Sequence, residues 1–298
     1  MPTLGIGLII LSYLSWLPPY TLSQLTVSHI LFMAGNILFF DWLCLKYSHY
    51  SFIKTLKQNK KAFLRFIALS AILVFLIEFY GHWIGKYWYF PPTNLTTYFL
   101  VVIPLLLFYI LFLLETYLGA KAVIETFLKK EKGEKFTYPE IKNLSFLGIA
   151  SFVGIVGLTG NLFSYTSFHS LAEFFSVDYA PVTNNGPTIF FLLLISIFLW
   201  VFLEYIAIRL RRPALISLII SGKYYLPVLI VAIGLITAVH YEYFNAPSGL
   251  WRYANIPFSS MRLFGVPILV FVTWPIQYFS IVTLYYLFFP VKSEDSPS

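Results

Sequence analysis

The chain is a series of long apolar runs separated by short polar segments, and this pattern restricts its fold most. A transmembrane helix needs about 20 mostly apolar residues. Eight segments approach or meet this length, at 3–20, 24–46, 63–84, 95–118, 144–166, 187–208, 224–244 and 263–289. The first is the shortest and is interrupted by prolines. Only 11% of the residues are charged, against about a quarter in soluble proteins, so a soluble globular fold is excluded.

The basic residues are distributed unevenly around these runs. Seventeen of the 20 fall on one side if all eight segments span. They are Lys46, Lys54, Lys57, Lys60, Lys61, Arg65, Lys121, Lys129, Lys130, Lys132, Lys135, Lys142, Arg209, Arg211, Arg212, Lys223 and Lys292. The positive-inside rule makes that side cytoplasmic, with both termini on it. We therefore predict a multi-pass plasma-membrane protein that contacts the lipid bilayer and has no nucleic-acid partner.

Several classes of site are excluded by missing motifs. The first 16 residues carry no charged side chain, so they are expected to remain as a membrane segment rather than act as a signal peptide. Cys44 is the single cysteine, which rules out a disulfide framework and a cysteine-based metal cluster. The sequence has no HExxH, GxSxG, GxGxxG or P-loop motif. We expect no metal and no cofactor.

The two halves of the chain resemble each other. At an offset of 164, Glu78 matches Glu242, Gly85 matches Gly249, Tyr87 matches Trp251 and Tyr89 matches Tyr253; at 163, Asp41 matches Glu204 and Pro104 matches Pro267. An offset of four helices leaves both halves pointing the same way through the membrane. The prediction is an all-α integral membrane protein with eight transmembrane helices in two parallel four-helix repeats, 1–120 and 144–290. A cytoplasmic loop, 121–143, joins them, and 291–298 is a polar tail.

Five carboxyl groups fall in or beside the predicted helices, where an ionisable group is costly unless it is paired or neutral. Three of them lie near cytoplasmic helix ends: Asp41, Glu115 and Glu204. Lys46, Lys121 and Arg209 follow these acids closely in the sequence. Exposed salt bridges or snorkelling are the favoured interpretation of these three acids.

The other two carboxyl groups, Glu78 and Glu242, lie at matching positions of the two halves, and each precedes a segment rich in aromatic residues. We call 83–92 and 247–253 the aromatic segments. A carboxyl group buried in an apolar cage favours its neutral form and can then donate a proton. His82 lies four residues after Glu78, on the same helix face. We predict Glu78 as a general acid, His82 as its orienter or proton relay, and Glu242 as a second acid or cation stabiliser. A purely structural polar pair of Glu78 and His82 is the alternative.

Aromatic side chains surround these acids in both halves. Tyr87, Trp88, Tyr89, Trp251 and Tyr253 are predicted to line a substrate cavity. Aromatic faces attract cations, so together with a protonated carboxyl group they suit the protonation of a double bond. An interfacial aromatic belt is the alternative interpretation.

The motifs resemble known membrane enzymes of carotenoid biosynthesis. One set is similar to the repeat of the integral-membrane lycopene β-cyclases of the heterodimeric bacterial and fungal fusion type: Trp88-Tyr89-Phe90-Pro91, Phe99-Leu-Val-Val-Ile103-Pro104, Leu107-Phe108-Tyr109 and Glu115-Thr116-Tyr117-Leu118. A second set resembles the related membrane carotenoid hydratases: Glu78, Gly81, Gly85, Tyr87, Tyr89, Pro104, Trp251, Gly265-Val266-Pro267 and Trp274. The similarity covers 78–118 and 242–280.

This resemblance implies an apolar isoprenoid or carotenoid substrate that is cyclised or hydrated without a redox cofactor, and it adds Pro104 and Pro267 to the substrate-binding set. One departure concerns two acidic residues that follow the proline of the cyclase motif. Here Pro104 is followed by Leu105-Leu106-Leu107, and Pro267 by Ile268-Leu269-Val270. Glu78 and Glu242 are then the remaining candidate acids.

Two other functional classes remain open from the sequence. The same cavity would serve a non-catalytic protein that binds or moves an isoprenoid or another lipid. A proton-coupled transporter would use Glu78 and Glu242 as titrating groups. Both a homo-oligomer and a hetero-oligomer are compatible with the sequence.

Overall fold

The computed structural model describes residues 2–18, 21–91, 93–128, 144–165, 174–178 and 189–289. Within these ranges seven helices are long and apolar enough to cross a membrane. They contain α2 (Leu22–Ser48), α4 (Lys60–Glu78), α6 (Ile103–Phe127), α7 (Leu144–Tyr165), α8 (Ile189–Arg209), α10 (Tyr225–Ser248) and α11 (Ile268–Phe288). The prediction of a mainly helical, multi-pass membrane protein is confirmed at this level.

Shorter elements complete the described chain. The short helices are α1 (Pro2–Ser15), α3 (Phe52–Gln58), α5 (Leu95–Thr97) and α9 (Leu215–Ile220). Two π-helical segments, Phe79–Ile84 and Tyr98–Val102, extend α4 at its end and α6 at its start. The strands are β1 (Trp88–Tyr89), β2 (Arg252–Tyr253), β3 (Arg262–Leu263) and β4 (Val266–Pro267).

The first predicted span differs from its expected length. Instead of covering 3–20, α1 has 14 residues, about 21 Å at the rise of an α-helix and shorter than a hydrocarbon core of about 30 Å. The helix ends at Ser15 because the following Leu17-Pro18 sequence disfavours helical geometry. It packs closely on α2, since a Cβ atom added at Gly5 would lie 2.8 Å from the carbonyl oxygen of Gly35.

The central linker also has different bounds. Helix α6 continues to Phe127, so the first residues of the predicted loop 121–143 are helical. Residues 129–143 and the predicted tail 291–298 lie outside the described residues.

Four long helices surround the main core. Buried apolar side chains of α4, α6, α10 and α11 form one cluster, which α2 and α9 extend. Helix α2 packs along α6, and α8 packs along α11. Each of these pairs joins an outer helix to the central group.

Strands β1 and β2 join the aromatic segments of the two halves. They pair antiparallel, with Trp88 opposite Tyr253 and Tyr89 opposite Arg252. The backbone N–H of Ala254 also donates to the carbonyl oxygen of Tyr87, at 2.9 Å. Two segments that are 164 residues apart in sequence therefore lie side by side, next to the ends of α4 and α10.

Asp41 and Glu204 have the same structural role at the other end of the bundle. The Ser51 hydroxyl and the backbone N–H of Ile53 donate to Asp41 at the start of α3. The backbone N–H groups of Leu215 and Ile216 donate to Glu204 at the start of α9, at 3.1 and 2.8 Å. Both carboxyl groups thus satisfy the free N–H groups at the start of a short helix.

The salt bridges predicted for Asp41, Glu115 and Glu204 are wrong. All three side chains are buried, with exposed fractions of 3%, 1% and 0%. The one ion pair in the described ranges joins Lys121 and Glu125, at 3.9 Å. The expected basic partners follow the acids closely in sequence, but the acids point into the protein. Backbone and hydroxyl donors bind Asp41 and Glu204, whereas neither oxygen of Glu115 has a hydrogen-bond partner among the described residues.

We predict that Glu204→Gln destabilises the protein. A glutamine amide has one oxygen in place of two, so it cannot accept from both N–H groups of α9 and from the Thr283 hydroxyl, which also donates to Glu204. Losing hydrogen bonds to a charged group costs about 1.5–3 kcal/mol. Thermal unfolding in detergent, followed by tryptophan fluorescence, should show a lower midpoint. Asp178→Asn, at an exposed carboxyl group, is the control, and equal midpoints for both variants would contradict the assigned role.

Candidate active site

A large cavity lies between the helices at the end of the bundle that carries β1 and β2. Its walls come from α2, α4, α6, α10 and α11, from the first residue of α8, from β1 and β2, and from the π-helical turn before α6. The empty space between these walls is about 1320 Å³, and this volume includes the part that is open to solvent. Most lining side chains are apolar or aromatic, and Glu78 is the one carboxyl group among them. This is the composition of a site for an apolar ligand.

Glu78 is held with one of its two oxygens directed at protein donors. Trp88 Nε1 donates to Glu78 Oε2 at 3.2 Å, and the Tyr98 hydroxyl donates to the same oxygen at 2.6 Å. The other oxygen, Oε1, has no hydrogen-bond partner among the described residues. The side chain is 5% exposed and lines the cavity. Oε1 is therefore the carboxyl oxygen that remains available to a group in the cavity.

The local backbone around Glu78 is unusual. Glu78 immediately precedes the π-helical segment Phe79–Ile84, and Tyr98 begins the second one, Tyr98–Val102. Insertions of this kind occur often at functional sites. The absence of a side chain at Gly81 leaves space for the Trp88 ring, because a Cβ atom at this position would lie 1.7 Å from the indole.

His82 does not make the predicted contact with Glu78. Its Nδ1 atom lies 2.7 Å from the carbonyl oxygen of Trp88, and its buried Nε2 atom has no partner in the described part of the chain. His82 is absent from the lining of the cavity. Both side chains instead bind Trp88, one through the indole and one through the backbone, so His82 positions this tryptophan.

Glu242 occupies the matching place in the second half but has different surroundings. Its oxygens accept from the Tyr253 hydroxyl, from Trp251 Nε1 at 3.3 Å and from Asn245 Nδ2 at 3.4 Å. It is fully buried and does not line the cavity. Glu242 thus lies behind Trp251 and Tyr253, whose side chains separate it from the cavity.

Asn245 fixes the backbone that carries Trp251. Its side-chain oxygen accepts from the Trp251 N–H at 3.0 Å, and its nitrogen donates to the Trp251 carbonyl oxygen at 2.9 Å. The preceding Gly249 ends α10 in the left-handed conformation, with a φ of 58°. Desolvation, reinforced by Glu242, raises the pKa of the Tyr253 hydroxyl well above its ordinary value, so this group remains a donor.

The predicted substrate-binding residues divide into two groups. Trp88, Trp251 and Tyr253 line the cavity. The remaining four do not, and they are Tyr87, Tyr89, Pro104 and Pro267. Tyr87 is buried against Gly85, Tyr89 pairs with Arg252, and Pro267 pairs with Arg262 in the β3–β4 hairpin. Pro104 lies in the first turn of α6 with its side chain exposed.

Several cavity groups are missing from the sequence-based set. They are His29, Tyr109, Tyr241 and Tyr278, all in the cavity lining, and Tyr98, which binds Glu78. The hydroxyl groups of Tyr109 and Tyr278 hydrogen-bond to each other. A lone histidine inside a membrane span is an expensive residue, and this signal points to His29. No group of three or more His, Cys, Asp or Glu side chains suited to a metal ion occurs in the described ranges.

Comparison with known proteins finds no matching family model, no similar curated protein and no similar solved structure.

We predict that Gly81→Ala damages the Glu78 site. The added methyl group overlaps the Trp88 ring and must displace it from Glu78, and overpacking of this kind costs about 1–3 kcal/mol. The thermal midpoint in detergent should fall and the tryptophan emission should shift. Gly160→Ala is the control, because a Cβ atom there meets no atom within 4 Å. A Gly81→Ala variant as stable as Gly160→Ala would contradict the close approach of Trp88.

Proposed function

We propose that this protein is a membrane enzyme that protonates a carbon–carbon double bond of an apolar isoprenoid. The observation that carries the proposal is the geometry of Glu78. Two donors hold its Oε2 atom, while Oε1 lies without a protein partner at the wall of an apolar cavity. A neutral carboxyl group placed in this way donates its proton to a bound substrate and to no side chain.

The reaction is balanced without a redox cofactor. The proton on Glu78 adds to one carbon of the double bond, whose electron pair forms the new C–H bond and leaves a carbocation. In cyclisation a second double bond attacks this cation, and a neighbouring carbon then loses a proton. In hydration a water oxygen attacks the cation and the resulting oxonium ion loses a proton. In both cases the released proton returns to the Glu78 carboxylate.

The aromatic wall favours the cationic intermediate. Trp88, Trp251, Trp274 and Tyr253 line the same cavity as Glu78. The faces of such rings attract a cation, and the attraction increases where water is excluded. Glu242 acts in this proposal as a positioning residue, since it binds Trp251 and Tyr253 from behind.

A relationship to the carotenoid cyclases and hydratases remains part of the proposal. It is supported by a carboxyl group beside the aromatic motif and by the apolar cavity. The acids that follow the proline in the cyclase motif are replaced by leucines after Pro104. The hydratase-like set, which includes Glu78, agrees better with the observed cavity wall.

We also propose the finer architecture of eight spans in two parallel repeats. Asp41 and Glu204 are 163 residues apart, and so are Ile53 and Ile216, whose N–H groups they accept from. Strands β1 and β2 are related by an offset of 164 and pair with each other. Both observations support a two-fold arrangement of equivalent halves. Helix α1 would then be the short first span, which needs a locally thinner bilayer.

Cysteine labelling tests the proposed topology, with both termini in the cytoplasm. In a Cys44→Ser background, Ser23→Cys and Asn94→Cys should react with a membrane-impermeant maleimide added to intact cells. Thr3→Cys should react only after the membrane is opened. Labelling of Thr3→Cys in intact cells would show that α1 does not cross and would leave seven spans.

Pigment analysis tests the enzymatic proposal. Cells that accumulate lycopene should form a cyclised or hydrated product when they express the chain, detected by chromatography of the extract. Glu78→Gln should lower conversion by about 10²–10⁴-fold, the usual contribution of a general acid. Glu115→Gln is the matched control, because Glu115 is equally buried but lies away from the cavity. Unchanged lycopene and related polyenes, with the protein verified in the membrane, would contradict the proposal.

A non-catalytic isoprenoid-binding protein is the second candidate. It is supported by the position of His82, which contacts Trp88 and therefore supplies no proton relay to Glu78. For this function Glu78→Gln should retain bound isoprenoid and the wild-type protein should release it unchanged. Substrate flux across vesicles that depends on both Glu78 and Glu242 would favour a proton-coupled transporter instead.

A further inference from the structure

The cavity has a second polar position, formed by His29 of α2 and Tyr241 of α10. Both residues line the cavity, and their ring centres are 4.7 Å apart. The Nε2 atom of His29 and the hydroxyl group of Tyr241 are buried and have no hydrogen-bond partner in the described part of the chain. An unsatisfied buried polar group is costly, so two of them on one cavity wall indicate a ligand that completes them.

The chemistry required of the ligand follows from the hydrogen bond that His29 already makes. Its Nδ1 atom lies 2.8 Å from the carbonyl oxygen of Leu25. A carbonyl oxygen only accepts, so Nδ1 carries the proton and, in the neutral ring, Nε2 has a free lone pair. Nε2 therefore needs a donor, and a ketone, a quinone or an ether cannot supply one.

The hydroxyl group of Tyr241 can make a second hydrogen bond to the same ligand. Its ring is held by Tyr109 in an edge-to-face contact at 5.0 Å and by Trp274 at 5.9 Å. Its O–H group can donate to a ligand oxygen while His29 accepts from the same oxygen. A ligand hydroxyl group is the smallest group that satisfies both.

We propose that His29 and Tyr241 bind a terminal hydroxyl group, so that the cavity takes an isoprenoid alcohol in preference to a hydrocarbon. The alcohol oxygen donates to His29 Nε2 and accepts from the Tyr241 hydroxyl, and the apolar chain lies along the remaining wall. This inference rests on the proposed isoprenoid-binding cavity and specifies its substrate class. Glu78 protonates a double bond elsewhere on the same chain.

The test compares three probes that share the same C20 isoprenoid chain and differ only at its end. They are the C20 isoprenoid alcohol geranylgeraniol, its methyl ether, and the hydrocarbon without oxygen. The full chain is placed in lipid nanodiscs, tritiated geranylgeraniol is bound at equilibrium, and the other two compete at equal mole fraction in the lipid. Each hydrogen bond should contribute about 2- to 10-fold in affinity. The expected order is alcohol, then ether, then hydrocarbon.

Single substitutions separate the two hydrogen bonds. Tyr241→Phe should weaken the alcohol and the ether, because both accept from Tyr241. His29→Phe should weaken the alcohol alone, because the ether has no proton to donate. Neither variant should alter the affinity for the hydrocarbon. An unchanged hydrocarbon affinity also shows that the variant protein is folded and that its cavity is intact. Tyr243→Phe, at an exposed position on the same helix, is the control.

The possible outcomes distinguish the two proposals. Equal affinity of the three probes for the wild-type chain would overturn the hydroxyl site and leave the isoprenoid cavity standing. Alcohol preference that survives both substitutions would also overturn it, since the preference would then come from another group. If none of the three probes binds, the cavity proposal itself fails.

Discussion

Burial of carboxyl groups within a lipid-embedded helical bundle is the constraint on which this structure depends. A carboxyl group in hydrocarbon is costly unless it is paired or neutral. Of the five buried carboxyl groups in the described ranges, four accept from protein donors at two levels of the bundle, and Glu115 has no partner there. Asp41 and Glu204 accept from the first N–H groups of short helices. Glu78 and Glu242 accept from indole and phenol groups. Each acid therefore fixes a connection between two long helices.

Glu78 and Glu242, the two acids beside the aromatic segments, satisfy this constraint in different ways. The proposed function follows from this difference. Glu242 has donors on both oxygens and lies behind the cavity wall. Glu78 has donors on one oxygen and lines the cavity. Equivalent sequence positions thus give one acid that binds the wall residues from behind and one that lines the cavity. The tryptophans that bind the two acids, Trp88 and Trp251, are also one residue out of register in the two halves.

Prediction from the sequence succeeds where one physical effect dominates. Long apolar runs predict membrane helices because the bilayer thickness sets their length, and five of the eight predicted spans start and end within a few residues of observed helices. The exceptions are α1, which proline ends early, α6, which continues beyond its predicted end, and α11, which starts at Ile268 because Val266 and Pro267 form β4. Burial of Glu78 and Glu242 beside the aromatic motif is also predictable, because their equivalent positions mark them in the sequence.

The same reasoning fails where the partner comes from a distant segment. Nearby lysines and arginines favour salt bridges for Asp41 and Glu204, yet the donors belong to α3, α9 and Thr283. Spacing of four residues favours a Glu78–His82 pair, yet Trp88 binds both.

The amino-acid sequence by itself determined the membrane class, the approximate spans and the acids worth examining, because hydropathy and charge act locally along the chain. Only the tertiary structure decided that protein donors bind just one oxygen of Glu78, that Glu242 does not line the cavity, and that His29 and Tyr241 share its wall. Hydrogen bonds between side chains on different helices depend on how those helices pack, and packing is set by contacts that no short stretch of sequence contains.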